Sequence, residues 1–386
     1  MRILTTLQRE EWTRAVQRAT QYDFYFLPEY HALAERRGEG EARLFVYEQA
    51  GHTIALPLLI RTLADYPGIG GWAQTWRDAT SVYGYSGPLC SHNDIPRAVV
   101  EGFQRELITA LRELHVVSVF SRLHPLLPAQ TTLVDGLGNH QLEGVTVSIN
   151  LSATPHDQRA QYHRTIRNRV NRLVRSDFTC VLDSEQRHLP EFIALYHETM
   201  CRVKAEESYF FDRTYFSDLA KSLGPVLKLF VVKIPDGEVI SGGLFTLCDG
   251  IAQYHLGGTR NTALKFSPMM LIFETVRHWA NQNGAHTFHL GGGVGAKTDS
   301  LFQFKARFSR QRHEFVTWRW IVAPEAYREL SVRKHVWNSE RGLKAISDSF
   351  FPAYRCPSEP HAVSAVMSAS ALNSPAGDEL LPVQHG

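Results

Sequence analysis

The chain has 386 residues, of which 44% are hydrophobic and 21% charged. These are ordinary globular values, so the chain can bury the cores of two or three domains. Its net charge of +2 excludes a protein that is strongly basic throughout, but leaves room for a local basic face. No apolar run approaches the ~20 residues of a membrane-spanning helix, and the N-terminus lacks a signal-peptide core. We therefore expect a cytoplasmic protein.

The cysteines predict neither disulfides nor a zinc site. There are five of them, widely scattered and without the paired spacing of zinc ligands. We expect reduced thiols, as is usual for a cytoplasmic protein. The residues concerned are Cys90, Cys180, Cys201, Cys248 and Cys356.

The first half predicts a helix, antiparallel strands, a crossing helix and a further strand. Apolar residues at helical or strand spacing, interrupted by turn residues such as Gly51, give this order. The predicted elements are a helix carrying Trp12 and Val16, a hairpin over Leu44–Ile60, a strand at Val82–Tyr85, a helix over Pro96–Leu114 and a strand at Val116–Phe120.

A strongly basic helix, His163–Arg175, follows between the halves. Its arginines can contact RNA or a substrate diphosphate, or they can simply form a solvated interdomain face. The two interpretations have equal weight at this point. The arginines are Arg164, Arg167, Arg169, Arg172 and Arg175.

The second half predicts the same order of elements. Asp212 is placed to cap a short helix, and Ser267-Pro268 is typical of a helix start, with a hydroxyl cap followed by proline. The predicted elements are a helix over Leu189–Val203, the helix after Asp212, strands at Lys228–Ile234, Val239–Cys248 and Ile251–Leu256, a helix from Ser267 to Gly284 and a strand at His286–Leu290.

A sequence repeat supports this parallel. Residues 24–60 reappear without a gap at 209–245, so that Tyr30 aligns with Tyr215 and Arg43 with Lys228, each pair 185 positions apart. A constant offset indicates a tandem duplication of one α/β unit. We predict one domain at 1–155, a second at 156–350 with the active cleft, and a disordered tail at 357–386. The tail lacks aromatic residues, lysine and arginine.

The chemically richest stretch begins where the strand His286–Leu290 enters Gly291-Gly292-Gly293. Backbone N–H groups of such a loop can cradle a phosphate or an oxyanion, and Lys305 and Arg307 follow closely. A tight turn with solvated charges is the alternative interpretation. The loop fits neither the Walker pattern nor a dinucleotide fingerprint.

Four segments together resemble the Fem-like acyltransferases, which are twin-GNAT proteins. The resemblance covers roughly residues 1–350 and implies an α/β (α+β) fold made by tandem duplication of two GNAT-like domains with mixed sheets. It also implies two splayed strands that form a cleft for an acyl donor. The segments are Thr287–Gly293 with Leu301–Ser309, Tyr254–Gly258, Tyr83–Leu89 and Tyr162–Arg169.

The resemblance implies direct attack of an amine on an ester or thioester, without a covalent enzyme intermediate. Lys305, within Phe304-Lys305-x-x-Phe308, would stabilise the developing oxyanion or hold a substrate phosphate. His289 and His255 can assist proton removal, although structural histidines are the simpler interpretation. We predict Lys305, His289 and Tyr254 as catalytic. The predicted substrate-binding residues are Gly291, Gly292, Gly293, Asp299, Arg307, Arg164, Arg167 and Tyr83, and we predict no metal site.

The sequence leaves two classes of acyl donor possible, aminoacyl-tRNA and acyl-CoA. Enzymes of the GNAT superfamily that use CoA bind its pyrophosphate with a glycine-rich loop at the start of the crossing helix. Here that start, Lys265–Leu271, has no glycine. This favours aminoacyl-tRNA as donor to an amine, on an acceptor that can carry phosphate. Acylation from acyl-CoA and a GNAT-like scaffold without activity are the alternatives, and no cofactor beyond the donor is predicted.

Overall fold

The computed structural model describes residues 1–347 and 349–358. The predicted disordered tail, residues 357–386, lies outside the described residues from position 359 onward. Within the described residues, the strands are β1 (Arg2–Leu4), β2 (Glu41–Gln49), β3 (His52–Thr62), β4 (Arg77–Thr80), β5 (Leu89–Cys90), β6 (Val116–Arg122), β7 (Asn139–Asn150), β8 (Thr179–Asp183), β9 (Leu227–Lys233), β10 (Val239–Cys248), β11 (Ile251–Thr259), β12 (Thr287–Gly291) and β13 (Gln311–Ile321).

The helices lie on both faces of these strands and connect them. They are α1 (Arg9–Gln17), α2 (Pro28–Arg36), α3 (Arg97–Glu113), α4 (Ala129–Leu133), α5 (Pro155–Ala160), α6 (Arg164–Arg175), α7 (Leu189–Val203), α8 (Arg213–Leu223), α9 (Met269–Gln282), α10 (Ser300–Ala306) and α11 (Pro324–Glu340).

All the strands form one continuous mixed sheet. Twelve of them follow the order β1-β2-β3-β4-β6-β13-β7-β12-β11-β10-β9-β8, and β5 pairs with β3 at the side. Two neighbouring pairs are parallel, β4 with β6 and β11 with β12. Each pair is linked by a crossing helix, α3 in the first half and α9 in the second. The predicted α/β fold with two mixed-sheet units of the same order is therefore confirmed.

The duplicated segments meet each other in the structure. The order α2–β2–β3 recurs as α8–β9–β10, and α2 packs against α8. One hydrophobic core includes Trp12 and Phe24 of the first half together with Phe192 and Phe216 of the second. Because both halves bury side chains in the same core, this core fixes their relative position.

Asp212 caps α8 as predicted. Its Oδ1 accepts a hydrogen bond of 2.8 Å from the Tyr215 backbone N–H, which otherwise lacks a partner at the helix start.

Two local predictions were wrong. Val82–Tyr85 is not a strand, because the chain turns at Gly84, whose φ is 110° and where a Cβ would lie 1.9 Å from the Tyr25 ring. The nearest strand, β4, ends at Thr80, before this segment.

Ser267 does not cap α9: its φ is 57°, and its hydroxyl donates to the carbonyl of Leu264 at 3.5 Å. The helix begins at Met269, one residue later than predicted, because Pro268 precedes the helix and is not its first residue.

The last part of the chain returns to the first half. β13 lies between β6 and β7, and α11 buries Ala326 and Leu330 against Leu63 and Ile69. The predicted second domain, 156–350, thus includes elements that pack on the first half. The boundary at 155/156 stays a prediction.

A buried ion pair ties α9 to the segment that opens the second half. The Arg277 side chain is 1% exposed and donates to both carboxylate oxygens of Glu274, at 3.0 and 3.1 Å. It also donates to Gln158 of α5 at 2.6 Å. Burial alone would raise the pKa of Glu274, but the hydrogen bonds and charge of Arg277 outweigh burial and lower it. Both groups are therefore charged at neutral pH.

Replacing Arg277 by methionine should lower the free energy of unfolding by up to about 3–5 kcal/mol, because the buried Glu274 charge loses its two hydrogen bonds from Arg277 and keeps the more exposed Arg159, at 3.3 Å, and His278, at 3.2 Å. Urea denaturation measures this change. The matched control is Arg97→Met, which breaks an ion pair with Glu101 on the exposed face of α3 and should cost little. Equal effects of the two substitutions would contradict a structural role for the buried pair.

Candidate active site

The second half contains a cleft between two parting strands. β11 and β12 pair only from Ile251 with Thr287 to Gln253 with His289. Beyond this point β11 continues to Thr259 along β10, while β12 ends at Gly291. The two strands therefore separate, and the space between them lies beside Tyr254 and the start of α9.

Lys305 reaches into this region from α10. Its side chain is buried, and Nζ donates a hydrogen bond of 2.6 Å to the carbonyl of Gly292. Nζ also lies 5.3 Å from the centroid of the Tyr254 ring. Asp299 begins α10, where its Oδ1 accepts from the Phe302 N–H at 2.9 Å. The predicted residues Lys305, Tyr254 and Gly292 are thus brought together, and Asp299 orients the helix that carries the lysine.

Burial controls the charge of Lys305. It lowers the pKa of the ammonium to about 7, and the charge of Asp299 opposes this only in part. The lysine is therefore divided between its charged and neutral forms near neutral pH. Such a group can stabilise an oxyanion when protonated and accept a proton when neutral.

The glycine loop is shaped mainly by contacts within the protein. A Cβ on Gly293 would lie 2.0 Å from the Lys297 carbonyl oxygen, so only glycine fits there. The carbonyl of Gly292 is bound by Lys305, and the N–H of Val294 donates to Asp299 Oδ2 at 3.0 Å. These contacts favour the tight-turn interpretation for part of the loop. Binding of a phosphate or oxyanion by Gly291, Gly292 and Gly293 stays a prediction.

His289 is not placed to remove a proton from a substrate. The side chain is fully buried, with Nδ1 2.6 Å from Gln253 Oε1 and Nε2 2.9 Å from Thr146 Oγ1. Because the Gln253 oxygen accepts only, Nδ1 carries the hydrogen and Nε2 accepts from the hydroxyl. Burial also lowers the pKa of His289 well below its ordinary value. The predicted catalytic role is therefore corrected to a structural one that joins β7, β11 and β12.

The first half supplies an opposing aromatic wall. Tyr83 keeps 39% of its surface exposed, and its ring centroid lies 6.2 Å from that of His255, the neighbour of Tyr254 on β11. Tyr85, two residues later, places its hydroxyl 3.9 Å from the position of a Cβ on Gly291. Tyr83 and Tyr85 of the first half therefore lie against β11 and the loop after β12 of the second half.

The basic residues predicted for substrate binding lie at the side of this cleft. Arg164 and Arg307 are exposed, and the backbone of His163 donates to the Arg307 carbonyl at 2.8 Å, so the start of α6 adjoins the end of α10. Arg169 donates to the Lys265 carbonyl at 2.9 Å, beside the start of α9. Arg167 donates to the Ala160 carbonyl at 3.3 Å. Within the described residues, none of the α6 arginines forms an ion pair with a carboxylate.

Among the described residues, the first half shows no equivalent parting of its parallel strands. Where β4 and β6 would part, the chain itself crosses the gap: Ser81 N–H donates to the Phe120 carbonyl at 2.9 Å, and Ser86 N–H to the Arg122 carbonyl at 2.8 Å. Residues 81–86 thus fill the position that is open in the second half. Sequence reasoning missed Tyr85 and Gln253. Tyr85 had a signal, since it lies in the tyrosine–glycine motif, whereas Gln253 had none.

Comparison with known proteins agrees with this geometry. Residues 160–305 match the family model described as an acetyltransferase (GNAT) domain. This part of the second half is therefore similar to a GNAT acyltransferase domain. This confirms the predicted acyltransferase class, and the GNAT fold implies an acyl donor and an amine acceptor. No curated protein sequence matches the chain.

Solved structures share the architecture at low identity. FemX superimposes with a TM-score of 0.65 and 14% identity, over 85% of this chain and 99% of its own. A conserved protein of unknown function from Bacteroides thetaiotaomicron superimposes with a TM-score of 0.53 and 11% identity, over 81% of this chain and 97% of its own. L-PGS from Bacillus licheniformis superimposes with a TM-score of 0.50 and 14% identity, over 80% of this chain and 91% of its own. At these identities the likeness establishes the fold.

In the described part of the chain, no helix is long and apolar enough to cross a membrane.

The lowered pKa of Lys305 predicts how stability changes with pH. Between about pH 7, the folded value, and 10.5, the ordinary value, the unfolded state holds a proton that the folded state has lost. Raising the pH through this window therefore favours the folded state, by at most about 1.4 kcal/mol per pH unit. We expect the free energy of unfolding of the wild type, relative to Lys305→Met, to increase from pH 7 to about 10. A constant difference, measured by urea denaturation, would show an unperturbed lysine.

Proposed function

We propose that this protein transfers an aminoacyl group from aminoacyl-tRNA to the amine of a cell-envelope precursor or natural product. The observation that carries the proposal is the buried Lys305 ammonium beside Tyr254, where β11 and β12 part. A charged donor group in a largely dry cleft stabilises a developing oxyanion more than it would in water. The likeness of the fold to FemX supports a Fem-like enzyme.

In this reaction the acceptor amine attacks the ester carbonyl of the donor. A C–N bond forms, the carbonyl oxygen becomes an oxyanion, and Lys305 stabilises it. Collapse of the intermediate breaks the ester C–O bond, and the proton lost by the amine replaces the acyl group on the leaving ribose oxygen. The chain's main contribution is to orient the two substrates and stabilise charge, so no nucleophilic side chain is required.

The donor assignment rests on charge and on the start of α9. That start contains no glycine, and Arg164, Arg169 and Arg307 present positive charge beside it without carboxylate partners among the described residues. A phosphate backbone suits such a surface. Transfer from acyl-CoA to an amino sugar or small molecule is the second candidate, since the GNAT-domain match and the parting strands fit it.

The acceptor would approach from the first half, along Tyr83. This wall is aromatic and lies opposite the lysine, so it can position a bulky acceptor without contributing to the chemistry. We further propose that the protein works in the cytoplasm, because all five cysteines are free thiols.

Replacing Lys305 by alanine should reduce turnover at least ~10²-fold, because the intermediate loses its main charged donor. Single-turnover kinetics separates this effect from donor binding. The control is Lys221→Ala, an exposed lysine on α8, which should leave turnover unchanged. Near-normal turnover of a folded Lys305→Ala protein would remove the lysine from the mechanism.

The two donor classes predict different binding behaviour. A ligand at ~100 times its dissociation constant stabilises the folded state by about 2.7 kcal/mol, which a thermal-shift assay detects. We expect stabilisation by an aminoacyl-tRNA pool and its loss with added salt, but no effect of acetyl-CoA or free CoA. Replacing Arg164 and Arg167 by glutamine should weaken tRNA binding and reduce its salt dependence. Stabilisation by CoA alone would establish the acyl-CoA enzyme instead.

A further inference from the structure

The side-chain position of Gly291, at the end of β12, is lined by polar groups from both halves. The residue is buried, and a Cβ built on it would lie 3.3 Å from Lys305 Nζ and 3.9 Å from the Tyr85 hydroxyl oxygen. Apart from Gly291 and its two chain neighbours, no other heavy atom of the described residues comes within 4 Å of that position. The lysine and the tyrosine therefore face the same small space.

Lys305 has donors available for a ligand in this space. An ammonium carries three N–H groups, and Nζ directs one of them to the Gly292 carbonyl at 2.6 Å. The Tyr254 ring, whose centroid is 5.3 Å away, faces the same ammonium without accepting a conventional hydrogen bond. A further N–H can thus be directed to a ligand oxygen beside Gly291.

Packing holds the Tyr85 hydroxyl in place on the opposite side. The centroid of its ring lies 5.2 to 5.9 Å from those of four aromatic rings, all in edge-to-face contact: Tyr25, His124, His289 and Phe315. Burial raises the pKa of Tyr85, so the phenol keeps its proton at neutral pH and remains a donor. In the part of the chain that the structure describes, no side chain accepts this proton. The hydroxyl is therefore positioned and able to donate before a substrate binds.

We propose that Tyr85 is a catalytic residue whose hydroxyl, together with Lys305 Nζ, binds the acyl carbonyl oxygen beside Gly291. This inference rests on the proposed function. As the amine attacks, the oxygen takes on negative charge, and both groups donate hydrogen bonds to it. The phenol proton stays on Tyr85, so the hydroxyl stabilises charge and transfers no proton. The site in the second half is then incomplete without the first half.

Two donor analogues test this role without turnover. The first is an adenosine with an amide-linked aminoacyl group, whose carbonyl is planar. In the second a phosphonate replaces the carbonyl, and its tetrahedral, charged oxygens resemble the oxyanion. By calorimetry on the full chain, Tyr85→Phe should weaken binding of the phosphonate at least ~10-fold and change the affinity for the planar analogue little, because the lost hydrogen bond is strongest to a charged oxygen. The single-turnover rate should fall by a similar factor.

Matched variants separate the space from the backbone around it. Gly291→Ala places a methyl group between the two donors and should also weaken binding of the phosphonate at least ~10-fold. Gly284→Ala has similar backbone strain, with a φ of 82° against 75°, but no atom within 4 Å of its Cβ, so it should leave the affinity unchanged. Tyr47→Phe, which removes a half-buried hydroxyl bound to Gln49 on β2, should change neither affinity.

The outcomes distinguish this inference from the proposed function. Unchanged affinity of Tyr85→Phe for both analogues would remove the hydroxyl from the site. An equal loss of affinity for both would show a structural role instead of stabilisation of the oxyanion. Either result would overturn the inference while the proposed donor stands. Failure of the wild type to bind either analogue would contradict the proposed function, and the inference with it.

Discussion

The hydrogen bond from Lys305 Nζ to the Gly292 carbonyl holds the candidate site together. It joins α10 to the loop that follows β12, and it places a cation beside Tyr254 where the strands part. A buried ammonium loses hydration, which is why the pKa of Lys305 falls to about 7. The carbonyl and the aromatic ring compensate for part of this loss. The site therefore contains a donor whose charge responds to small changes in its surroundings.

The single sheet explains how residues from the two halves come together beside Tyr254. β13 crosses back to lie between β6 and β7, and a shared core packs the duplicated helices against each other. The inner ends of the two parallel strand pairs then converge on the same region. The first pair is closed by residues 81–86, whereas the second stays open. The duplicated halves thus differ: the second has parting strands, and the first supplies a wall that carries Tyr83.

Local sequence patterns predicted much of the fold. Periodicity located most of the helices and strands, the constant offset revealed the duplication, and Asp212 correctly marked a helix start. Val82–Tyr85 failed because tertiary contact with Tyr25 forces a turn at Gly84, which an apolar pattern cannot show. His289 was misassigned because its burial and its two partners, Gln253 and Thr146, come from strands distant in sequence.

The central claim is that acyl transfer takes place between β11 and β12, with Lys305 at the reacting carbonyl. A crystal structure of the chain with an adenosine that carries a non-hydrolysable, amide-linked aminoacyl group would test it most directly. We expect the acyl carbonyl oxygen within hydrogen-bond distance of Lys305 Nζ, beside Tyr254. An aminoacyl group bound in the first half, or bound in the second half away from Lys305, would contradict it.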